Sequence, residues 1–282
     1  MKIGVNTWVW VSPLTTAELE WLVPHVKELG FDWIELAVED AALLDLPRTR
    51  ALMEANGLGV SICAAFGPNC DLIHPDPAPR ENALKYVRDC IDVAQALGSH
   101  TLGGPFYSSV GRVWKQTPDE REQDMQLLVQ QLRALGDYAA EREVVFGLEA
   151  LNRFETSFLN LTDQVLEVVE RVDHPACQVM VDTFHMNIEE RSLGDAIRRI
   201  GPRLVHVHTC ENDRGAPGTG HVPWDDVAQA LKDIDYQGAC VIESFTAKVE
   251  TIARAAAIWR PLANSQDELA QQGLAFLRSK LS

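Results

Sequence analysis

Short apolar runs alternate with longer amphipathic stretches from one end of the chain to the other. The short runs are predicted to be β-strands, because apolar runs bounded by turn residues are typical of buried strands. In the longer stretches apolar residues recur three and four positions apart, which is typical of helices with one buried face. The predicted strands are residues 3–5, 33–36, 59–65, 101–102, 144–148, 177–181, 204–207 and 239–242.

The helical pattern is clearest in two of the amphipathic stretches. Thr15 and Glu18 have the spacing of a capping box, and apolar residues follow at positions 19, 22, 23 and 26. Valines at positions 165, 168, 169 and 172 mark a second helix with one apolar face. Further helices are predicted at residues 82–97, 119–141, 193–200, 224–234 and 268–281.

Strict alternation of strands and helices predicts an α/β fold, and we favour a single closed (β/α)8 TIM barrel that covers residues 1–282. An open, doubly wound sheet gives the same alternation and is the alternative. In that alternative a dinucleotide-binding chain carries a G-x-G-x-x-G motif after its first strand, and no such motif follows residues 3–5. The length of 282 residues suits one barrel, and no linker interrupts the pattern.

The excess of acidic residues limits the classes of partner that the protein is expected to bind. The chain has 41 acidic and 25 basic residues, a formal net charge of −16 that repels nucleic-acid backbones and anionic membrane surfaces. No apolar run approaches the roughly 20 residues that cross a bilayer, and the chain enters its first strand at once. These features predict a cytoplasmic protein with neither a nucleic-acid nor a membrane partner. The six cysteines lack a C-x-x-C pair and are interpreted as reduced packing residues.

The fifth to eighth predicted strands each end in a side chain that can bind a metal: Glu149, Asp182, His208 and Glu243. In a parallel barrel these ends lie together on the face that carries active sites. Three carboxylates brought together repel one another, and a divalent cation is the simplest remedy. One imidazole with three carboxylates suits Mn²⁺, Mg²⁺ or Co²⁺ better than a structural Zn²⁺. His206 is interpreted as a buried histidine behind the ligands rather than a fifth ligand.

The residues around these strand ends resemble the ketose 3-epimerases, which include D-tagatose, D-psicose (allulose) and L-ribulose 3-epimerases among the xylose-isomerase-like barrels. The resemblance runs over the whole chain, and its most specific parts are N-R-F-E at 152–155 and D-T-F-H-M-N at 182–187. The spacing of the four strand-end residues agrees with it. The matching segments are EALNRFE (149–155), VDTFHMNIEE (181–190), HVH (206–208) followed by Arg214, PWD (223–225), VIE (241–243) and IWRP (258–261).

The resemblance implies a metal-dependent isomerase that interconverts free ketoses at C3 through a cis-enediolate. It implies one divalent ion per subunit, with Mn²⁺ favoured over Co²⁺ and Mg²⁺, and a homodimer or homotetramer. Glu149 and Glu243 would be both metal ligands and the acid/base pair on opposite sides of C3. Glu155, His185 and Arg214 would hold the O1 and O2 end of the sugar and stabilise the enediolate charge.

Four aromatic residues are candidates for the apolar wall of a sugar pocket, and packing in the core is the alternative for each of them. The resemblance is loosest at residues 66–71 and 102–114, which in the family contact the far end of the sugar, so the sequence leaves the ketose open. The four candidates are Trp8, Phe66, Trp114 and Phe245.

Several alternative functions differ in the residues that they require. The metal site would also serve aldose–ketose isomerisation or dehydration of a polyol. A sugar-phosphate enzyme is a second alternative, since Gly215, Gly218 and Gly220 follow the seventh strand, where barrel phosphate sites form, although Arg214 is the only cation nearby. A DNA-repair endonuclease would need several zinc ions and a basic face, which this acidic chain with eight histidines does not offer. A sugar-binding relative without chemistry is the non-enzyme alternative.

Overall fold

The computed structural model describes residues 1–281, and these residues form a closed barrel of eight parallel strands in chain order. Closure is made by β1 and β8, where Lys2 pairs with Ala239 and Val5 with Ile242. The predicted barrel is therefore confirmed over the open sheet. The strands are β1 (Lys2–Asn6), β2 (Trp33–Ala37), β3 (Gly59–Cys63), β4 (Thr101–Gly104), β5 (Val145–Glu149), β6 (Cys177–Asp182), β7 (Leu204–His208) and β8 (Ala239–Ile242).

Helices surround the strands, and their apolar faces form the main core with the outer face of the barrel. The helix of residues 193–200 begins and ends as predicted, and the other predicted helices agree within a few residues. The helices are α1 (Thr16–Leu29), α2 (Leu46–Asn56), α3 (Pro77–Leu97), α4 (Pro118–Ala140), α5 (Thr162–Val172), α6 (Thr183–Glu189), α7 (Leu193–Ile200), α8 (Trp224–Asp233), α9 (Glu250–Ala255) and α10 (Gln266–Leu281).

Three of these helices, α2, α6 and α9, were not singled out by the sequence pattern. Helix α2 buries only Thr49 and Met53, so its sequence has no apolar stripe to recognise. Helices α6 and α9 have 7 and 6 residues, about two turns each, which is too short for a periodic signal. Within residues 1–281, no helix combines the length and apolar character that crossing a membrane requires.

The capping box predicted at α1 is only half formed. The Thr15 hydroxyl accepts a hydrogen bond from the backbone N–H of Glu18 at 3.2 Å, as a helix N-cap does. The Glu18 carboxylate instead accepts from the Trp21 indole at 2.6 Å. Both hydrogen bonds of a capping box occur at α4, between Thr117 and Glu120.

The amino-terminal end of the barrel carries the half-buried side chain of Trp33. The Trp33 indole donates to the Ser61 hydroxyl at 3.0 Å and lies across Gly59 on the neighbouring strand. A Cβ at Gly59 would lie 2.0 Å from Cε3 of Trp33, so this position has room only for glycine.

Gly59→Ala is therefore expected to lower the free energy of unfolding by about 1–3 kcal/mol, because the Trp33 ring must move out of its place. Gly67→Ala is the matched control. Apart from its two chain neighbours, a Cβ there meets no atom of residues 1–281 within 4 Å, and a change of at most about 0.5 kcal/mol is expected. Urea unfolding of both variants measures the difference, and equal losses would contradict the packing role of Gly59.

Candidate active site

The four strand-end side chains lie together at the carboxyl end of the barrel. Glu149, Asp182 and His208 are the last residues of β5, β6 and β7, and Glu243 follows β8 directly. Each is at most 5% exposed. One ligand atom from each of Glu149, Asp182 and His208 lies within 4.8 Å of the others. Glu243 contacts the same group through His208, because its Oε2 lies 3.4 Å from His208 Nδ1.

The hydrogen bonding of His208 defines which of its nitrogens faces this group. Nε2 lies 2.6 Å from Glu35 Oε1 and donates its proton to that carboxylate. Nδ1 is buried and has no hydrogen-bond partner among residues 1–281. A buried polar atom without a partner is costly, and a metal ion would accept its lone pair. This unpartnered nitrogen, with three carboxylates around it, fits a divalent cation that prefers oxygen and imidazole ligands.

Glu35 is a buried partner of His208 that the sequence analysis did not predict. It lies in the middle of β2, fully buried inside the barrel. Besides His208, it accepts hydrogen bonds from the Asn6 amide at 2.9 Å and the Ser61 hydroxyl at 3.0 Å, and His206 Nε2 lies 2.5 Å from its Oε2. Its signal in the sequence is a single carboxylate within an otherwise apolar strand, WIELA.

The surroundings of Glu35 keep it ionised. Burial by itself raises the pKa of Glu35, but His208 and His206 hold it well below its ordinary value. The carboxylate in turn fixes the orientation of the His208 ring, as carboxylate partners of metal-binding histidines do. His206 lies against Glu35 and outside the group formed by Glu149, Asp182 and His208.

The two glutamates differ in their electrostatic surroundings. Burial raises the pKa of Glu149 well above its ordinary value against the lowering effect of His208, and the charges of Asp182 and Glu243 add to the rise. Burial also acts to raise the pKa of Glu243, but His208 and Arg214 hold it below its ordinary value. The two carboxyls therefore lie in different electrostatic surroundings within one site, an arrangement suited to acid/base chemistry.

Arg214 lies at the centre of the site. Its Nη1 donates to Asp182 Oδ2 and, at 2.7 Å, to Glu243 Oε2. The guanidinium stacks over the Phe184 ring with its central carbon 4.1 Å from the ring centroid. An arginine in this position neutralises part of the carboxylate charge and presents donors to a bound anionic oxygen.

His185 and Glu155 are brought to the same place by Asn152. His185, on α6, accepts from the Asn152 backbone N–H through Nδ1 at 3.1 Å, and its Nε2 lies 3.8 Å from Asp182 Oδ2. Burial lowers the pKa of His185 to about 3, so the imidazole is neutral, and its Nε2 lies 3.2 Å from Arg214 Nη2. Glu155 accepts from the Asn152 side-chain amide at 2.8 Å.

The structure separates the four aromatic candidates. Trp8 and Phe245 pack together with 5.6 Å between ring centroids, in a small apolar cluster that also contains Cys63. Phe66 lies in the main core instead, 5.9 Å from Phe106. Trp114 stacks on Phe158 at 5.9 Å, in the loop after β4. Trp8 and Phe245 are thus the pair that adjoins the strand-end group, since Arg214 lies 5.2 Å from the Phe245 centroid.

Two thiols adjoin the carboxylates, which the interpretation of the cysteines as packing residues did not foresee. Cys63 Sγ lies within 4.8 Å of ligand atoms of His208 and Glu243. Cys210 Sγ has the same relation to Asp182 and Glu243, and Arg214 Nη1 lies 3.0 Å from it. The six cysteines, all within residues 1–281, are free.

The glycine-containing loop after β7 disfavours the sugar-phosphate alternative. The backbone N–H of Gly218 donates to Glu211 Oε2 at 2.8 Å, and that of Gly215 donates to Asp213 Oδ1 at 2.9 Å. These N–H groups already have carboxylate acceptors, and the same carboxylates would repel a phosphate.

Comparison with known proteins shows similarity over the whole barrel. Residues 23–280 match the model of the xylose isomerase-like TIM barrel family. The chain is 35% identical over 271 residues to the D-psicose 3-epimerase of Ruminiclostridium cellulolyticum, covering 95% of this chain and 92% of that protein. It is similar to the solved structure of an L-ribulose 3-epimerase, with a TM-score of 0.92, 30% identity, and coverage of 99% and 94% of the two chains. The D-psicose 3-epimerase from Clostridium cellulolyticum H10, solved with D-tagatose, gives a TM-score of 0.90 at 33% identity and covers all of both chains.

Proposed function

Because the chain belongs to the ketose 3-epimerases within the xylose isomerase-like TIM barrel family, and so to the isomerases, we propose that it is a metal-dependent enzyme that inverts C3 of a free ketose. The observation that carries the proposal is the meeting of three strand-end carboxylates at His208, whose Nδ1 has no hydrogen-bond partner among residues 1–281. Relatives named for D-psicose and L-ribulose support a small ketose as the substrate.

Glu149, Asp182, His208 and Glu243 would hold the cation, with Mn²⁺ preferred and Co²⁺ or Mg²⁺ accepted by the same ligands. When bound, a divalent ion acts as a Lewis acid that makes the proton at C3 of the ketose more acidic. The ion would also offset the repulsion among the three carboxylates, which lie in a site of low exposure.

Inversion at C3 needs one group that takes the proton from one face of the carbon and another that returns a proton to the opposite face. Glu149 and Glu243 are assigned as these two groups, one taking the proton and the other returning one. The roles exchange in the reverse reaction. Abstraction of the C3 proton leaves a cis-enediolate on the sugar.

The enediolate carries negative charge that the site is built to accept. Arg214 supplies fixed donors, and the neutral imidazole of His185 lies beside it, with 3.2 Å between His185 Nε2 and Arg214 Nη2. Glu155 lies beside them on the Asn152 amide, where it would accept a hydroxyl proton of the sugar. Trp8 and Phe245 would cover the apolar side of the sugar ring or chain.

The test is proton exchange in D₂O. The Mn²⁺-loaded protein is incubated with D-fructose, D-tagatose, D-psicose or L-ribulose, and the sugars are freed of protein and metal before proton NMR. We expect deuterium at C3 together with the C3 epimer, and the relative rates identify the preferred ketose. An aldose product would indicate an isomerase instead, and a C3 proton retained in every ketose by metal-loaded protein would refute the proposal.

A further inference from the structure

Glu211 is not one of the four strand-end side chains, yet it is fully buried. Its carboxylate accepts four hydrogen bonds. Oε1 accepts from the backbone N–H groups of Asn212 at 3.1 Å and Val222 at 3.0 Å. Oε2 accepts from the N–H of Gly218 at 2.8 Å and the Trp224 indole at 2.9 Å. One side chain thus ties together the beginning, the middle and the end of the loop that connects β7 to α8.

The loop is packed tightly around this carboxylate. A Cβ at Gly220 would lie 2.7 Å from Cγ of Glu211 and 2.0 Å from Oδ1 of Asn212. Gly218 has a φ of +89°, and a Cβ there would lie 2.4 Å from the Phe276 ring. The glycines of this loop therefore let the backbone approach Glu211 and α10 closely.

The same loop carries Arg214 in a conformation that needs support. Its φ is +65°, a region that residues other than glycine rarely adopt. Its backbone N–H donates to the Glu211 carbonyl at 3.0 Å, and its carbonyl accepts from the Ser244 hydroxyl at 2.6 Å. Such a conformation persists only where the surroundings hold it, and here the holding groups are Glu211 and Ser244.

We propose that Glu211 is a positioning residue for the epimerisation: it holds the β7–α8 loop so that Arg214 keeps its guanidinium against Asp182 and Glu243. The proposal rests on the proposed function, because Arg214 matters for the rate only if enediolate charge develops beside it. Glu211 itself does not touch the substrate and acts through Arg214.

The variant that tests this is Glu211→Gln, which keeps the shape of the side chain. An amide has one acceptor oxygen where the carboxylate has two, so its NH₂ group would face two of the N–H donors. We expect kcat to fall between about 10- and 100-fold with a smaller change in KM, as for a catalytic group displaced by a fraction of an ångström. The same substitution in an Arg214→Gln background should lower the rate of C3 exchange by less than about twofold, because the residue it positions is already gone.

Asp226→Asn is the matched control. Asp226 accepts from the Gly194 N–H at 3.0 Å and pairs with Arg198 at 3.2 Å, so its loss loosens α7 against α8 without touching the β7–α8 loop. Its kcat should remain that of the wild type. Equal rate losses for Glu211→Gln with and without Arg214, or no loss in either background, would overturn the positioning role.

Amide hydrogen exchange of the substrate-free protein separates this proposal from the proposed function. Faster exchange at residues 212–222 in Glu211→Gln supports the role of the carboxylate in holding the loop, and unchanged exchange would overturn it. This result does not depend on turnover, whereas a wild-type protein that exchanges C3 in no ketose would refute the proposed function alone.

Discussion

With Glu243 replaced by Gln, epimerisation of the preferred ketose is expected to slow by about 10²- to 10⁴-fold, and Glu149→Gln should have an effect of the same order. Each substitution keeps the size of the side chain and removes one of the two groups that take or return the C3 proton. The rates are measured at saturating Mn²⁺, since each variant also loses an anionic metal ligand.

Each variant retains one acid/base carboxyl, so each should still exchange the proton on one face of C3. Glu243→Gln should still exchange the C3 proton of one epimer with D₂O, and Glu149→Gln that of the other epimer, with little epimer formed in either case. Glu54→Gln, on the outer face of α2 where Glu54 pairs with Arg50 at 2.9 Å, is the control and should retain the wild-type rate. Exchange of both epimers at equal rates by one variant would contradict the assignment of the two glutamates to opposite faces.

The second large effect is expected for metal binding. His208→Gln should weaken Mn²⁺ binding by more than about 100-fold and abolish C3 exchange at micromolar Mn²⁺, because it removes the buried Nδ1 lone pair from the site. Titration calorimetry, or the electron paramagnetic resonance signal of free Mn²⁺, measures the affinity directly. Removal of the ion from the wild type by a chelator should likewise abolish exchange, and added Mn²⁺ should restore it.

A graded series distinguishes loss of a ligand from general damage. Glu35→Gln keeps His208 but removes the anionic partner of its Nε2–H, so a smaller loss of affinity, about 10- to 100-fold, is expected. His221→Gln, at an exposed histidine of the β7–α8 loop, should bind Mn²⁺ as the wild type does. Wild-type affinity in His208→Gln would contradict the proposed ligand set.

The strand-end residues of the site could be predicted because their signal lies within a few neighbouring positions of the sequence. A strand that runs through apolar residues and stops at Glu149, Asp182 or His208 is visible in the sequence, and parallel strands place their carboxyl ends on one face. The resemblance to ketose 3-epimerases pointed to Arg214, His185 and Glu155 for the same reason, through short contiguous motifs. Helices failed to be recognised where the local signal was weak, as in the polar α2.

The sequence by itself determined the order of strands and helices and the identity of the strand-end groups, because both are encoded within a few neighbouring residues. Only the tertiary structure decided which nitrogen of His208 faces the site, because that depends on Glu35, 173 residues away in the chain. It also decided that Cys63 and Cys210 adjoin the carboxylates, and that Phe66 lies in the main core while Trp8 and Phe245 pack together. The contacts of Glu35 and Cys63 with His208, and of Trp8 with Phe245, join the first strands of the barrel to the last ones. They form only when the barrel closes through β1 and β8, so no local spacing along the chain encodes them.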